Sequence, residues 1–334
     1  MRGERPNNEA NTPLLNAPLR FEPYLRPMVW GGCRLAEALG RPLPTAEPYG
    51  EAWLVSDHPS HRSIMADGPR AGRTLHDLLR QDPAALLGPA AAAPSSFPWL
   101  IKLLDAHDWL SVQVHPDDAA AARLWPGEGG KTEAWFILDA APESRVYAGL
   151  KPGVDAARLR AALAAGTAAD CLHSFTPRPG DCLFLPAGTV HAVGGGVLMA
   201  EVQQTSDATF RLYDWGRVGA DGKPRKLHVE EALACIDWDA GPVAPVRVDG
   251  YPAAMGPARQ RLAECRYFTV DYVRDTTPFA VEGGRLQAAV ALHGLGTLGG
   301  APVRPGDALV LPAASAGWEC APDGPLGLLL ASLP

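Results

Sequence analysis

No stretch of the 334 residues is long and apolar enough to be a membrane helix. Such a helix needs roughly 18–20 consecutive apolar residues, and the longest runs here, 97–104 and 326–333, are strand-sized. The N-terminus, MRGERPNNEANTPLL, lacks the apolar core of a signal peptide. Residues 1–17 are therefore expected to be a disordered polar tail, and the protein cytoplasmic, with no membrane partner. Cysteine is sparse: there are six, and none forms a C-x-x-C pair. In a chain this long they read as reduced structural thiols, not as disulfide staples. Charge is also sparse, at 20% of residues. Lys plus Arg number 30 and Asp plus Glu 37, so the net charge is 30 − 37 = −7. With no Lys/Arg block and an acidic balance, no nucleic-acid partner is expected.

What the chain has in quantity is turn residues. Glycine numbers 35 and proline 33, against a hydrophobic fraction of 47%. That hydrophobic fraction excludes a disordered protein, and the turn content points to many short strands. Residues 74–87 carry apolar residues at helical spacing broken by Pro83, which predicts two short helices. Further helices are expected from Asp117 or Asp118 through Trp125, over 155–165 and over 228–236. Strands are expected over 51–56, 98–115, 131–139, 181–186, 197–204 and 209–215. Within them, alternation places Ser111, Gln113 and His115 on one face, and Lys131, Glu133 and Trp135 on another.

An internal repeat sets the expected architecture. Residues 178–187 read RPGDCLFLPA and residues 304–313 read RPGDALVLPA, identical at eight of ten positions and offset by 304 − 178 = 126. A Pro-Gly-Asp turn leading into a short strand is used twice, which predicts two related β-barrel-like units. The first copy continues to His191. Position 191 + 126 = 317 is glycine, so only the first copy carries a potential ligand.

Four residues then suggest a metal site. Gln113 and His115 are two apart on a strand and can both face an interior. Glu133 follows eighteen residues later on another inward row, and His191 follows the Pro186-Ala-Gly188 turn. Two imidazoles, a carboxylate and an amide oxygen form a mixed N/O set with room for water or substrate. That is a catalytic type of site, favouring one Zn2+ per chain, with Mn2+, Fe2+ and Co2+ also suited to such ligands. The G-x5-P-x-G-x-x-H pattern ending at His191 resembles the second motif of the cupin superfamily. The fold class expected is mainly β with helical insertions: two cupin-type jelly-roll β-barrel domains. The first is a catalytic metal-binding domain over 18–241, the second a cupin-like domain without metal ligands over 242–334.

Longer segments carry a more specific resemblance. PWLIKLLDAHDWLSVQVHPDD (98–118), GKTEAWFILDA (130–140) and FLPAGTVHAVGGGVLMAEVQQTSDATFRLYDWGR (184–217) resemble the type I phosphomannose isomerase family in its short bacterial form. Trp30-Gly31-Gly32 and YGEAWLVS (49–56) fit the same pattern. The resemblance implies a metal-dependent aldose–ketose isomerase that interconverts D-mannose 6-phosphate and D-fructose 6-phosphate through an enediol(ate). It implies metal ligands Gln113, His115, Glu133 and His191, and a catalytic arginine at Arg211. Lys102, Lys131, Ser111 and Arg217 then stand near the substrate. Lys102 and Lys131 are candidates for catalysis, while Ser111, Lys102 and Arg217 are candidates for binding phosphate. The family's frequent tyrosines are replaced by Phe136 and Phe210 and its frequent cysteine by Ala134, none of them a ligand position. The residues leave the general base open among a lysine, a metal-bound hydroxide and Glu201. Another metal cupin enzyme such as an oxygenase, or a non-catalytic sugar-phosphate-binding cupin, is the competing expectation. The partner expected is a small sugar phosphate, and the protein a monomer or homodimer.

Overall fold

The computed structural model describes residues 15–88, 96–219 and 222–334. Residues 1–14, most of the expected polar tail, lie outside the described residues. Leu15 is already packed in a core, 5% exposed, so the expected tail ends before residue 17. No helix among the described residues is long and apolar enough to cross a membrane.

The chain is mostly β, as expected, and arranged in layers. A seven-stranded antiparallel sheet runs, in spatial order, Val246–Arg247, Asp181–Leu185, Glu133–Ala140, Val197–Gln204, Trp99–Ala106, Tyr49–Val55 and Tyr24–Gly32. A five-stranded sheet faces it, in the order Leu172–Phe175, Val146–Leu150, His191–Val193, Val112–Val114 and Phe210–Tyr213. Leu104, Trp135, Ile137, Leu183 and Met199 from the first sheet meet Val146, Ala148 and Val193 from the second in one core. The outer face of the five-stranded sheet is covered by helices Ala156–Ala164 and Val229–Leu233, through Leu159, Ala232 and Leu233.

The outer face of the seven-stranded sheet packs on a six-stranded sheet that includes Thr269–Asp275, Gln287–His293, Ala308–Leu311 and Leu326–Ser332. Helices Leu75–Gln81 and Pro83–Leu87 join that core, broken at Pro83 as the sequence predicts. A four-stranded sheet closes the far side around Val281, Leu298 and Trp318. Two short pairings cross the expected division at 241/242. Leu19–Arg20 pairs with Ala308–Leu311 of the six-stranded sheet, while Val246–Arg247 edges the seven-stranded one.

The sequence repeat is a structural repeat. In each copy the chain turns through Pro-Gly with the glycine in the left-handed region, Gly180 at φ 87 and Gly306 at φ 86. The Asp181 amide donates to Arg178 O at 3.0 Å, and that of Asp307 to Arg304 O at 3.0 Å. The aspartate side chain then accepts from the amide three residues earlier, at 2.9 Å from Arg178 and 3.1 Å from Arg304. Proline followed by a positive-φ glycine is what such a turn demands.

Candidate metal centre

Strand alternation builds this site. Along Trp99–Ala106, residues Trp99, Ile101 and Leu103 pack in the core between the seven- and six-stranded sheets, and Leu104 and Ala106 face the five-stranded sheet. Lys102 shares that second face. On Val197–Gln204 the inward row is Val197, Met199, Glu201, Gln203; on Glu133–Ala140 it is Glu133, Trp135, Ile137. In every case the row is apolar at one end and polar at the other, so the polar ends converge. On the opposing sheet, Val112 and Val114 pack outward against the helices, which turns Ser111, Gln113 and His115 inward. All eight residues of Trp99–Ala106 are buried because both faces of the sheet are covered.

His115, Glu133 and His191 are 1–2% exposed and offer ligand atoms that all lie within 4.8 Å of one another. They are the one such cluster among the described residues. His115 Nε2 is 3.1 Å from Glu133 Oε1, and His191 Nε2 is 3.9 Å from Glu133 Oε2. Each imidazole uses its other nitrogen on the backbone: His115 Nδ1 on Ala208 O at 2.8 Å and His191 Nδ1 on Thr189 O at 2.9 Å. A carbonyl only accepts, so each Nδ1 carries the proton and each Nε2 turns a lone pair inward. The Gln113 amide stands 3.3 Å from His191 Nε2. The Gly188 amide donates to His115 O at 2.8 Å and ties the two histidine segments together. Lone pairs pointed at a carboxylate repel unless a cation stands among them. The Lys131 ammonium does so, 3.0 Å from His115 Nε2 and 2.5 Å from Glu133 Oε1. This donor set fits a divalent cation held by His115, His191, Glu133 and, with its oxygen turned inward, Gln113.

The charges around the cluster are strongly perturbed. Burial alone would raise the Glu133 carboxyl, but Lys131, His115 and His191 hold it well below the usual carboxylate range. Burial, then His115, lowers His191 to about 3, and burial with Lys131 lowers His115, so both rings are neutral at pH 7 and free to act as ligands. Lys102 Nζ lies 3.0 Å from Glu201 Oε2, with both side chains 3% exposed. Burial would lower this lysine, yet Glu201, Glu51 and Asp207 raise it above its ordinary value. Burial, then Glu133, raises Glu201. The Trp135 indole N–H donates to Glu133 Oε2 at 3.0 Å and to Glu201 Oε1 at 2.9 Å, linking the two carboxylates.

A cavity of about 270 Å3 opens beside this cluster, lined by Lys102, Ser111, Gln113, Lys131, Glu201 and Arg211 among others. Arg211 Nε donates to Ser111 Oγ at 3.3 Å, and the Ser111 hydroxyl donates to Gln113 Oε1 at 3.2 Å. Arg217, the remaining residue singled out from sequence, does not line this cavity. It donates to Trp109 O and pairs with Asp214 at 3.2 Å and Asp108 at 3.5 Å. Four charged residues that sequence reasoning missed do line it: Arg26, Glu51, Asp207 and Arg225. Glu51 lies in the apolar run EAWLVS, the same kind of signal that marked Lys102; the other three gave none. A larger cavity, about 600 Å3, opens beside Phe21, Leu54 and Val303 at the junction of the sheets. Its arginines face carboxylates, as in Arg20–Asp307 at 2.9 Å and Arg41–Glu22 at 3.2 Å, and it holds no ligand cluster.

Comparison with known proteins places the chain. The family model for the type I phosphomannose isomerase catalytic domain matches residues 19–140. The chain is 36% identical over 254 residues to mannose-6-phosphate isomerase ManA of Bacillus subtilis, covering 76% of this chain and 78% of that relative. It is 37% identical over 219 residues to the probable mannose-6-phosphate isomerase GmuF of the same organism, covering 66% and 68%. The crystal structure of a mannose 6-phosphate isomerase from Bacillus subtilis superposes with a TM-score of 0.82 at 29% identity, covering 95% of this chain and 99% of that one. The chain therefore belongs to the type I phosphomannose isomerase family, a family of aldose–ketose isomerases.

Proposed function

We propose that this protein interconverts D-mannose 6-phosphate and D-fructose 6-phosphate by a metal-dependent enediol(ate) route. The observation that carries the reading is the convergence of two neutral, inward-facing imidazole Nε2 atoms on one carboxylate, beside a cavity that also holds a guanidinium and two lysines. A divalent metal bound by His115, His191, Glu133 and Gln113 would hold the sugar oxygens and polarise the carbonyl. Zn2+ suits this ligand set, one ion per chain.

The reaction moves a proton between C2 and C1. The Arg211 guanidinium, fixed through Ser111 on the row of Gln113, stabilises the oxyanion that develops there. Lys131 places its ammonium at the carboxylate and imidazole edge of the cluster. Lys102, held protonated by its carboxylate neighbours, keeps a proton in the cavity as a donor. Glu201 beside it, raised by burial and Glu133, is the better placed of the two to accept one. Burial of these charges without partners would cost several kcal/mol per ion, so their pairing is a condition of the fold as well as of the chemistry. A coupled assay for fructose 6-phosphate formed from mannose 6-phosphate tests the reading. Turnover that needs oxygen, or binding of the sugar phosphate without isomerisation, would contradict it.

A further inference from the structure

Resting on that reading, we propose that Glu128 is a positioning residue for the metal centre: fixed by His58, it holds the turn 206–208 that orients His115. Glu128 lies in the connection between helix Asp118–Leu124 and strand Glu133–Ala140. It does not line the cavity, yet its side chain is only 17% exposed. Its two oxygens serve different segments. Oε1 accepts from His58 Nε2 at 3.0 Å. Oε2 accepts from the Asp207 amide at 3.0 Å and stands 3.1 Å from Ser206 Oγ. That hydroxyl is also 2.8 Å from Gly129 O, and it accepts from the Ala208 amide at 3.2 Å. Ala208 O then accepts the Nδ1 proton of His115 at 2.8 Å. A three-residue turn is all that separates the Glu128 carboxylate from a metal-ligating imidazole. The Asp207 carboxylate, on the same turn, lines the cavity and pairs with Arg26 at 3.3 Å.

The other end of the clamp has one tautomer. His58 sits on the short hairpin of Asp57–His58 and His61–Arg62, its ring buried and edge-on to Trp53 at 5.8 Å between ring centres. The Ser60 amide donates to His58 Nδ1 at 3.2 Å. An amide nitrogen only donates, so Nδ1 holds the lone pair and Nε2 carries the proton that meets Glu128. Burial alone would raise the Glu128 carboxyl, but the hydrogen bonds from His58 and the Asp207 amide hold it below its ordinary value. Both oxygens therefore remain acceptors, each facing a donor that is itself fixed. Groups that orient a ligating histidine through its second nitrogen govern how well the first nitrogen meets the metal. Here the orienting group is a backbone carbonyl, and Glu128 fixes the backbone that carries it.

Glu128→Gln tests the assignment. It keeps the shape but sets an amide donor against either the His58 Nε2–H or the Asp207 amide. In competition with a chelator, the variant should bind Zn2+ about tenfold more weakly than the wild type. Its Co2+-substituted form should show a shifted visible absorption band. His58→Leu, which removes the donor, should lose affinity to a similar degree, while His58→Gln, whose amide supplies one, should stay within about threefold of the wild type. A clamp that only stabilised the fold would lower the melting temperature of the metal-free protein and leave the affinity and the Co2+ spectrum of the folded protein unchanged. That result in Glu128→Gln would overturn the proposal, as would a loss in His58→Gln equal to that in His58→Leu. Neither readout uses the reaction. A wild type that binds metal without isomerising mannose 6-phosphate ends the isomerase reading, while the affinities still decide Glu128. Should Glu128→Gln not fold, the two His58 variants carry the comparison: weaker Zn2+ binding in His58→Leu alone supports the proposal, and equal affinities overturn it.

Discussion

The two Arg-Pro-Gly-Asp copies enter their sheets through the same turn, yet the interiors behind them differ. In the first, the inward rows end in Glu201 and Gln203, in Glu133, and in His191. In the second, the corresponding kind of row runs Leu326, Leu328, Leu330 to Ser332 on one strand, and Ala291, Ala289 to Gln287 on its neighbour. Gln287 Nε2 donates to Ser332 Oγ at 3.0 Å, and Asp271, on the next strand, is paired by Arg261 at 2.6 Å. Polar residues close the row in both units, but among the described residues only the first brings two imidazoles and a carboxylate together. The shared turn and strand fix a scaffold, and chemistry resides in a few inward positions of one copy.

The largest expected contrast is at the paired positions after the repeat. His191→Ala should lose metal and reduce turnover by about 10^3-fold or more. Gly317→Ala should leave turnover within about twofold, since an added Cβ makes only ordinary contacts, with Val281 O at 3.4 Å and Gly283 N at 3.9 Å. Steady-state kinetics with metal analysis of both variants checks this, and equal losses would break the comparison.

A second contrast concerns charge. Removing one partner of the buried Lys102–Glu201 pair, as in Glu201→Leu, should destabilise the protein by about 3–5 kcal/mol, because the other charge is left unpaired in a dry interior. Replacing both, Lys102→Met with Glu201→Leu, should recover much of that stability in denaturant unfolding but not the activity. Unfolding curves showing additive losses would argue that the pair is not coupled.

A smaller effect should come from the turn the two copies share. Gly180→Ala and Gly306→Ala each force a Cβ into the left-handed region, at a cost of about 1–3 kcal/mol. Gly306→Ala should be the worse, because its Cβ would lie 1.9 Å from Ala38 O, whereas that of Gly180 would lie 2.7 Å from the Tyr251 side chain. Thermal unfolding ranks them.

Much of this was legible in the sequence, for a physical reason. Strand alternation is local, so Ser111, Gln113 and His115 could be set on one face, and Lys131 and Glu133 on another, before any partner strand was known. The repeat and the helix break at Pro83 are local as well. What was not legible depends on register and loop path. Glu51, Arg26 and Asp207 meet because strands far apart in sequence pair as they do; Arg26 reaches Asp207 at 3.3 Å across 181 residues. Arg217 and Arg225 show the limit best. Both are basic residues in one segment, and spacing cannot rank them. The turn through Trp215 and Gly216, at φ 58 and 72, with the Trp215 indole tied to Leu110 O at 2.7 Å, directs Arg217 to Trp109 O and Asp214. Arg225 is the one returned to the cavity wall.

The central claim is that His115, Glu133, His191 and Gln113 hold a divalent metal on which isomerisation depends. The most direct test is metal content and mannose 6-phosphate turnover of the same sample, measured before chelation, after it, and after Zn2+ is returned. The account predicts one metal per chain, loss of both metal and turnover on chelation, and recovery of both together. Full turnover from a metal-free sample would contradict it.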